Sequence, residues 1–273
     1  MKSKLLKKAL FTSLLSASIA SAVFAAETVT VSGSTTVLPV MQKISEAFMH
    51  DEPNISVELS GGGSGSGLKG LSDGLTQVAM SSRKIKPEES KVAEKNNVQP
   101  YQTAVAIDAI VPIIHPDNKI QNLSLEDLRK IYKGQIRNWE QVGGKDAPIV
   151  LVSRDTSSGT YETWEELVMK KQRISPRALL QASNGTVVQT VSNNPNAIGY
   201  IGFGYINPTI KAVNVNGIHA EAATASSGKW PLSRELYLYT NGAPKDSVKK
   251  LIDYCLDQKG QKLVKETGFV PLK

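Results

Sequence analysis

Three segments of this sequence share one chemical pattern: a short apolar, β-branched run gives way to serine, threonine and glycine, and a helical pattern opens directly after. Val29-Thr30-Val31 runs into Ser32-Gly33-Ser34-Thr35-Thr36. Val57-Glu58-Leu59 runs into Ser60-Gly61-Gly62-Gly63-Ser64-Gly65-Ser66-Gly67. Ile149-Val150-Leu151-Val152 runs into Ser153-Arg154-Asp155-Thr156-Ser157-Ser158-Gly159-Thr160. A helix N-terminus presents unpaired N–H groups and the positive end of its dipole, and glycine lets an anion approach the backbone. Serine and threonine hydroxyls donate as well as accept, which suits an oxyanion. Taken alone, each loop reads first as ordinary N-capping and turn chemistry. Three of them at strand ends in one chain point to anion binding, because ligands of open α/β sheets sit beside the carboxyl ends of strands.

Competing chemistries find little to work with. One cysteine, Cys255, and three scattered histidines, His50, His115 and His219, provide neither a disulfide nor metal-ligand spacing. Gly62 to Gly67 has the glycine spacing of a P-loop, but Leu68 stands where lysine is needed, so nucleotide binding is a weak reading. No Gly-x-Ser-x-Gly elbow with a histidine partner is evident, so a secreted phosphoester hydrolase lacks both an activated nucleophile and metals.

The elements that must position these loops alternate. Strand patterns cover 28–32, 55–60, 77–80, 104–114, 149–152, 197–201 and 235–239. Val37, Met41, Ile44 and Phe48 recur at helical spacing, as do Tyr161, Trp164, Leu167 and Val168. Val248, Leu251, Ile252, Cys255 and Leu256 do the same near the end, which assigns Cys255 to core packing. The alternation predicts an α/β chain with mainly parallel sheets.

Of the 273 residues, 40% are apolar and 21% charged, enough to build a core and to exclude a disordered chain. Lys2, Lys4, Lys7 and Lys8, an apolar run over 9–22 and the sequence Ala-Val-Phe-Ala-Ala describe a secretory signal peptide, residues 1–25, cleaved after Ala25. The run is broken by serines and is shorter than the ~20 residues a spanning helix takes. Loss of those four lysines lowers the formal charge from +7 to +3. With no run of cations and interleaved aromatics, nucleic-acid binding has no support, whereas a small positive excess favours anion capture. No Pro-rich or Gly/Ser linker divides the remaining chain, so a two-domain arrangement has to be interwoven.

Several segments together are recognisable: Gly-Ser-Thr-Thr at 33–36, Gly-Gly-Gly-Ser-Gly-Ser-Gly at 61–67, Ser-Ser-Arg at 81–83, Ile-Tyr-Lys-Gly-Gln-Ile-Arg-Asn-Trp at 131–139, Arg-Asp-Thr-Ser-Ser-Gly-Thr at 154–160 and Asn-Ala-Ile-Gly-Tyr at 196–200. In order and spacing the chain resembles the phosphate-binding proteins of bacterial phosphate ABC transporters, in their shorter form. The resemblance implies a type II periplasmic binding protein of two α/β lobes, closing over one phosphate and handing it to a membrane permease. It implies an exported, periplasmic monomer without a cofactor or catalytic activity. Two crossings are expected, near 108–110 and 234–237. They place 26–108 and 236–273 in lobe I and 109–235 in lobe II.

Carried over residue by residue, Ser34, Thr35, Thr36, Ser64 and Ser82 are the expected donors from lobe I. Arg154, Ser158, Gly159 and Thr160 are those from lobe II, with Ser157 in reserve. Where longer members of the family have an acceptor carboxylate after the serine equivalent to Ser82, this chain has Arg83. Asp108, a lone carboxylate inside the apolar run 104–114, is the expected substitute acceptor for the ligand's proton, with Arg83 steadying it and Asp155 next in line. Alternatives from the same residues are another tetrahedral oxyanion, sulfate or molybdate, and a surface phosphate-binding adhesin or sensor.

Overall fold

The computed structural model describes residues 27–272, and the leader expected over 1–25 lies outside the described residues. In chain order the elements are β1 (Glu27–Gly33), α1 (Leu38–Asp51), β2 (Ile55–Gly61), α2 (Ser64–Ser72), β3 (Val78–Ser81), α3 (Pro87–Lys95) and β4 (Pro100–Ile114). There follow β5 (Asn122–Leu123), α4 (Leu125–Tyr132), β6 (Val150–Arg154), α5 (Gly159–Leu167), β7 (Leu179–Gln181), α6 (Asn184–Ser192) and β8 (Ala197–Gly202). The last are β9 (Lys211–Ala212), β10 (Asn214–Val215), α7 (Ala222–Ser226), β11 (Ser233–Asn241), α8 (Asp246–Leu256) and α9 (Gln258–Glu266).

One curled sheet runs β2-β1-β3-β11-β4-β8-β6-β7, with β9 beside β4. Its spine is β4, whose 15 residues change partner midway. Up to Ala109 it pairs with β11, and from Ile110 onward with β8. The chain therefore leaves a first half along β4 and returns to it along β11, and the Ile110 N–H donates to the Leu232 carbonyl at 2.9 Å where the two passages lie side by side. An outgoing and a returning strand must run in opposite directions. The pairs β11–β3, β11–β4 and β4–β8 are accordingly antiparallel, while β1–β2, β1–β3, β6–β7 and β6–β8 are parallel. The α/β class read from the alternation is present, and the sheet is mixed because of the two shared strands.

Each half has its own apolar core. In the first, Val29, Val31, Met41, Ile44, Phe48, Val78 and Met80 meet Leu236, Leu238, Leu251, Ile252 and Cys255, so both ends of the chain build it. The Cys255 thiol is fully buried against the Met41 sulfur at 3.9 Å, and burial pushes its pKa up to about 12, the behaviour of a packing residue. The second core is aromatic: Trp164 stacks on Tyr200 with ring centroids 4.2 Å apart, and Tyr132 packs edge-on against both. Every residue of β8 is buried, as a strand covered on both faces requires. Among the described residues no helix is long and apolar enough to cross a membrane.

The first loop shows how strand ends become a site. Gly33 adopts φ +133°, and a Cβ there would lie 2.3 Å from the Met80 carbonyl oxygen. Only glycine lets β1 turn over the end of β3, where the Ser34 N–H donates to that same carbonyl at 2.9 Å.

Candidate functional site

Three helices, α1, α2 and α5, start at strand ends and bring their first residues together between the two halves. From the first half, Ser34, Thr36, Ser64 and Ser82 are at most 2% exposed and Thr35 is 7% exposed. The Ser34 Oγ accepts from the N–H groups of Thr36 and Val37, at 3.2 and 3.4 Å. The Ser64 Oγ accepts from the Ser82 N–H at 3.0 Å and lies 3.3 Å from the Ser82 Oγ. From the second half, the Ser158 Oγ accepts from the N–H groups of Thr160 and Tyr161, both at 3.2 Å. Satisfying local N–H groups, as the N-cap of α5 for Ser158 and in the turn before α1 for Ser34, is thus one real role of both. It uses their lone pairs and leaves each hydroxyl proton for a further acceptor.

Across the cleft the halves touch directly. The Thr36 and Thr160 hydroxyl oxygens are 3.0 Å apart, and the Gly65 N–H donates to the Ser157 carbonyl at 2.9 Å. At Gly159, the first residue of α5, a Cβ would come within 2.4 Å of the Ser64 Oγ and 2.7 Å of the Ser82 Oγ. Such proximity fits the closed form of a cleft whose walls both carry donors. Ser157 faces Gly62, to whose carbonyl its hydroxyl donates at 3.2 Å, and its other partner is the Asp155 carboxylate. Asp155 also accepts the Ser157 N–H at 2.8 Å, so it caps its own turn.

Arg154 ends β6 and is fully buried. Its Nε donates to the Gln181 carbonyl at 3.0 Å and its Nη2 to the Ala182 carbonyl at 2.9 Å, which fixes one edge of the guanidinium. Nη1, on the other edge, is buried without a protein partner. The nearest carboxylate, Asp155, is 4.0 Å away and one-third exposed. Burial accordingly works against the Arg154 charge and lowers its pKa. A desolvated cation held by neutral carbonyls is costly unless an anion joins it.

The carboxylate side departs from the sequence expectation. Asp108 is fully buried at the crossing, but its partner is Arg234, directly opposite it in the β4–β11 ladder. The Arg234 Nε donates to Asp108 Oδ2 at 2.9 Å, with Nη2 2.8 Å from the same oxygen, and the Phe203 N–H donates to Oδ1 at 2.9 Å. Burial raises the Asp108 pKa, with the Arg234 charge and these donors pulling against it. Arg83, expected to steady Asp108, instead grips Glu89 with Nη1 and Nη2 at 2.7 Å each and meets Glu162 of α5 through Nε. Lys86 adds a contact to Glu162 at 3.1 Å. Arg83 is thus an ionic link between the halves at the cleft rim.

Sequence reasoning missed Arg234, Asn184 and Tyr205. The Asn184 side chain donates to the hydroxyls of Thr35 and Thr36 at 3.2 and 3.0 Å, and its oxygen accepts the Gly202 N–H at 3.1 Å. Tyr205 donates to the Thr35 carbonyl. Arg234 did carry a signal: it is a lone cation at the head of the apolar strand 235–239, as Asp108 is a lone anion within 104–114. Asn184 and Tyr205 lie in segments without a chemical pattern.

The cleft thus combines helix N-termini, hydroxyls and two buried guanidinium groups, a donor-rich lining for a small oxyanion. Comparison with known proteins agrees with that chemistry. The profile of the PBP superfamily domain matches residues 20–259. The phosphate-binding protein PstS of Borreliella burgdorferi is 34% identical over 257 residues, covering 90% of each chain. That of Bacillus subtilis is 30% identical over 250 residues, covering 91% of this chain and 82% of the other. Among solved structures, a protein from Clostridium perfringens assigned as a phosphate ABC transporter substrate-binding protein, with phosphate bound, superposes with a TM-score of 0.85 at 33% identity, over 90% of this chain and 100% of that one. The chain belongs to the PBP superfamily and, within it, to the PstS family of phosphate-binding proteins.

Proposed function

We propose that this protein captures inorganic phosphate between its two halves and delivers it to the membrane permease of an ABC transporter. The observation that carries this reading is Arg154: a fully buried guanidinium without a buried counter-ion, one edge fixed by two carbonyls and the other without a partner, beside the Ser158–Thr160 helix start. Ser34, Thr35, Thr36, Ser64 and Ser82 supply donors from lobe I, and Ser158, Gly159 and Thr160 from lobe II. Lobe I comprises 26–108 and 236–273, and lobe II 109–235. The separate apolar cores support this division, one drawing on 29–106 and 236–269, the other chiefly on 109–232. The protein works outside the cytoplasm as a monomer after removal of its leader, and it binds its ligand without turning it over.

Calorimetry on phosphate-free protein with phosphate, sulfate and molybdate tests the reading. Saturable heat with phosphate and none with the other two is the expected result. Preference for sulfate or molybdate reassigns the ligand. Turnover of a chromogenic phosphate ester overturns the binding-protein role in favour of an enzyme. Failure to stimulate a phosphate permease in reconstituted vesicles favours an adhesin or sensor.

A further inference from the structure

Arg234 repeats the geometry of Arg154 with one difference. Both are held by the Nε/Nη2 edge, and both leave Nη1 buried without a protein partner. The edge of Arg154 rests on neutral carbonyls, that of Arg234 on the carboxylate of Asp108. We infer that Arg234 is a second anion-binding residue of the phosphate site and that Asp108 is its positioning residue, rather than the acceptor of the ligand's proton. The inference rests on the phosphate reading above and deepens it.

Location comes first. The Arg234 Nη2 donates to Thr160 Oγ1 at 2.9 Å and reaches Thr36 Oγ1 at 3.3 Å, so this guanidinium touches the first turn of α5 and the loop ahead of α1. Its side chain is 6% exposed and that of Asp108 0%, which keeps solvent from satisfying Nη1. Thr160, which accepts from the Arg234 Nη2, belongs to the helix start that follows Arg154 in the same loop, so both guanidinium groups border the same donor-lined cleft. A tetrahedral oxyanion between them accepts from each Nη1, and guanidinium geometry matches phosphate oxygens.

Occupancy of Asp108 is the second point. Oδ2 takes two nitrogens of Arg234 and Oδ1 takes the Phe203 N–H. Most of the carboxylate's acceptor capacity is thereby spent on holding Arg234 and the start of the turn after β8. Asp108 faces Arg234 directly, whereas the carboxylate beside Arg154, Asp155, is 4.0 Å away and one-third exposed.

The pair is tested with the double variant Arg234→Gln, Asp108→Asn, which removes both charges and so avoids stranding a buried carboxylate. If Arg234 only neutralises Asp108, the double variant binds inorganic phosphate as wild type does, and the inference is overturned. If Arg234 donates to the ligand, phosphate affinity falls roughly thirtyfold or more, as for loss of a buried hydrogen-bonded charge. A parallel sulfate titration reads Asp108: under the inference sulfate affinity does not rise, whereas a gain in sulfate as phosphate is lost shows a carboxylate that faced the ligand and overturns the positioning role. Retained melting of the phosphate-free variant certifies its fold. Wild-type protein that gives no heat with phosphate sinks the functional reading itself, while a binding wild type beside a binding double variant sinks only Arg234.

Discussion

At Arg154, burying a charge whose nearest carboxylate is 4.0 Å away and one-third exposed works against folding of the empty protein, and a bound anion offsets it. Arg154→Ala is therefore expected to weaken phosphate binding by about 2–5 kcal/mol, the cost of removing one partner of a buried hydrogen-bonded charge pair. Melting of the phosphate-free variant should stay level or rise. An unchanged dissociation constant by calorimetry places the anion elsewhere. Gly159 makes the complementary case by sterics. A Cβ 2.4 Å from the Ser64 Oγ and 3.0 Å from the Ser64 Cβ wedges the halves apart. Gly159→Ala should cost about 1–3 kcal/mol of phosphate affinity, the range for overpacking. Since the clash lies between halves rather than within one core, melting without phosphate should change little, and a normal affinity shows that the halves need not approach this closely.

The element that matters most outside the anion site is the loop from β3 to α3. It carries Arg83, which ties Glu89 of its own half to Glu162 of the other, with side chains 8% and 13% exposed for Arg83 and Glu162. Because Glu89 still neutralises Arg83 when Glu162 is removed, Glu162→Gln is expected to loosen closure rather than unfold the protein. Phosphate release in stopped flow should accelerate on the order of tenfold, since both Arg83 and Lys86 lose their charge partner across the cleft. An unchanged release rate assigns the link a role in the open form as well. Glu89 reports on pH. Burial alone would raise its carboxyl, but the Arg83 guanidinium and the Lys86 N–H outweigh that and hold it below its ordinary range. A lowered carboxyl contributes stability above the ordinary glutamate pKa and loses it as pH falls through the lowered value. Melting temperatures of wild type and Glu89→Gln should therefore differ at neutral pH and converge in acid. A constant gap across that window argues that Arg83 and Glu89 are not coupled.

For the whole molecule, the two passages along β4 and β11 are the only covalent ties between halves among the described residues. A ligand held by donors from both walls binds the closed form better and so draws the equilibrium toward it. Small-angle scattering should give a smaller radius of gyration with saturating phosphate than without. Identical curves, together with unchanged hydrogen exchange at 108–110 and 232–234, would count against a clamp.

Much of this was already fixed along the chain. Strand-then-glycine-then-helix runs identify the three helix-start loops because a helix N-terminus is a local property, set by a few consecutive residues. The same locality makes α1, α5 and α8 readable from their apolar spacing. Elements such as α3, with Ala93 its one buried residue, and α9, rich in lysine and glutamine, show too few apolar positions for a hydrophobic repeat; α3 is set instead by Pro87 in its first turn and by Glu89 accepting the Lys86 N–H. Partner choice among charges was not local at all. Arg83 follows Ser82 and seemed placed to meet Asp108, yet its side chain turns to Glu89 and Glu162. Asp108 is met instead by Arg234, 126 residues away, because β11 returns antiparallel beside β4 and the register sets those two residues opposite each other. Residue types and spacing determined the chemistry of the site, an oxyanion cleft built on helix starts. The pairing of two distant strands decided which arginine stands with the buried aspartate, since a buried charge takes whatever opposite charge the ladder places within hydrogen-bond reach.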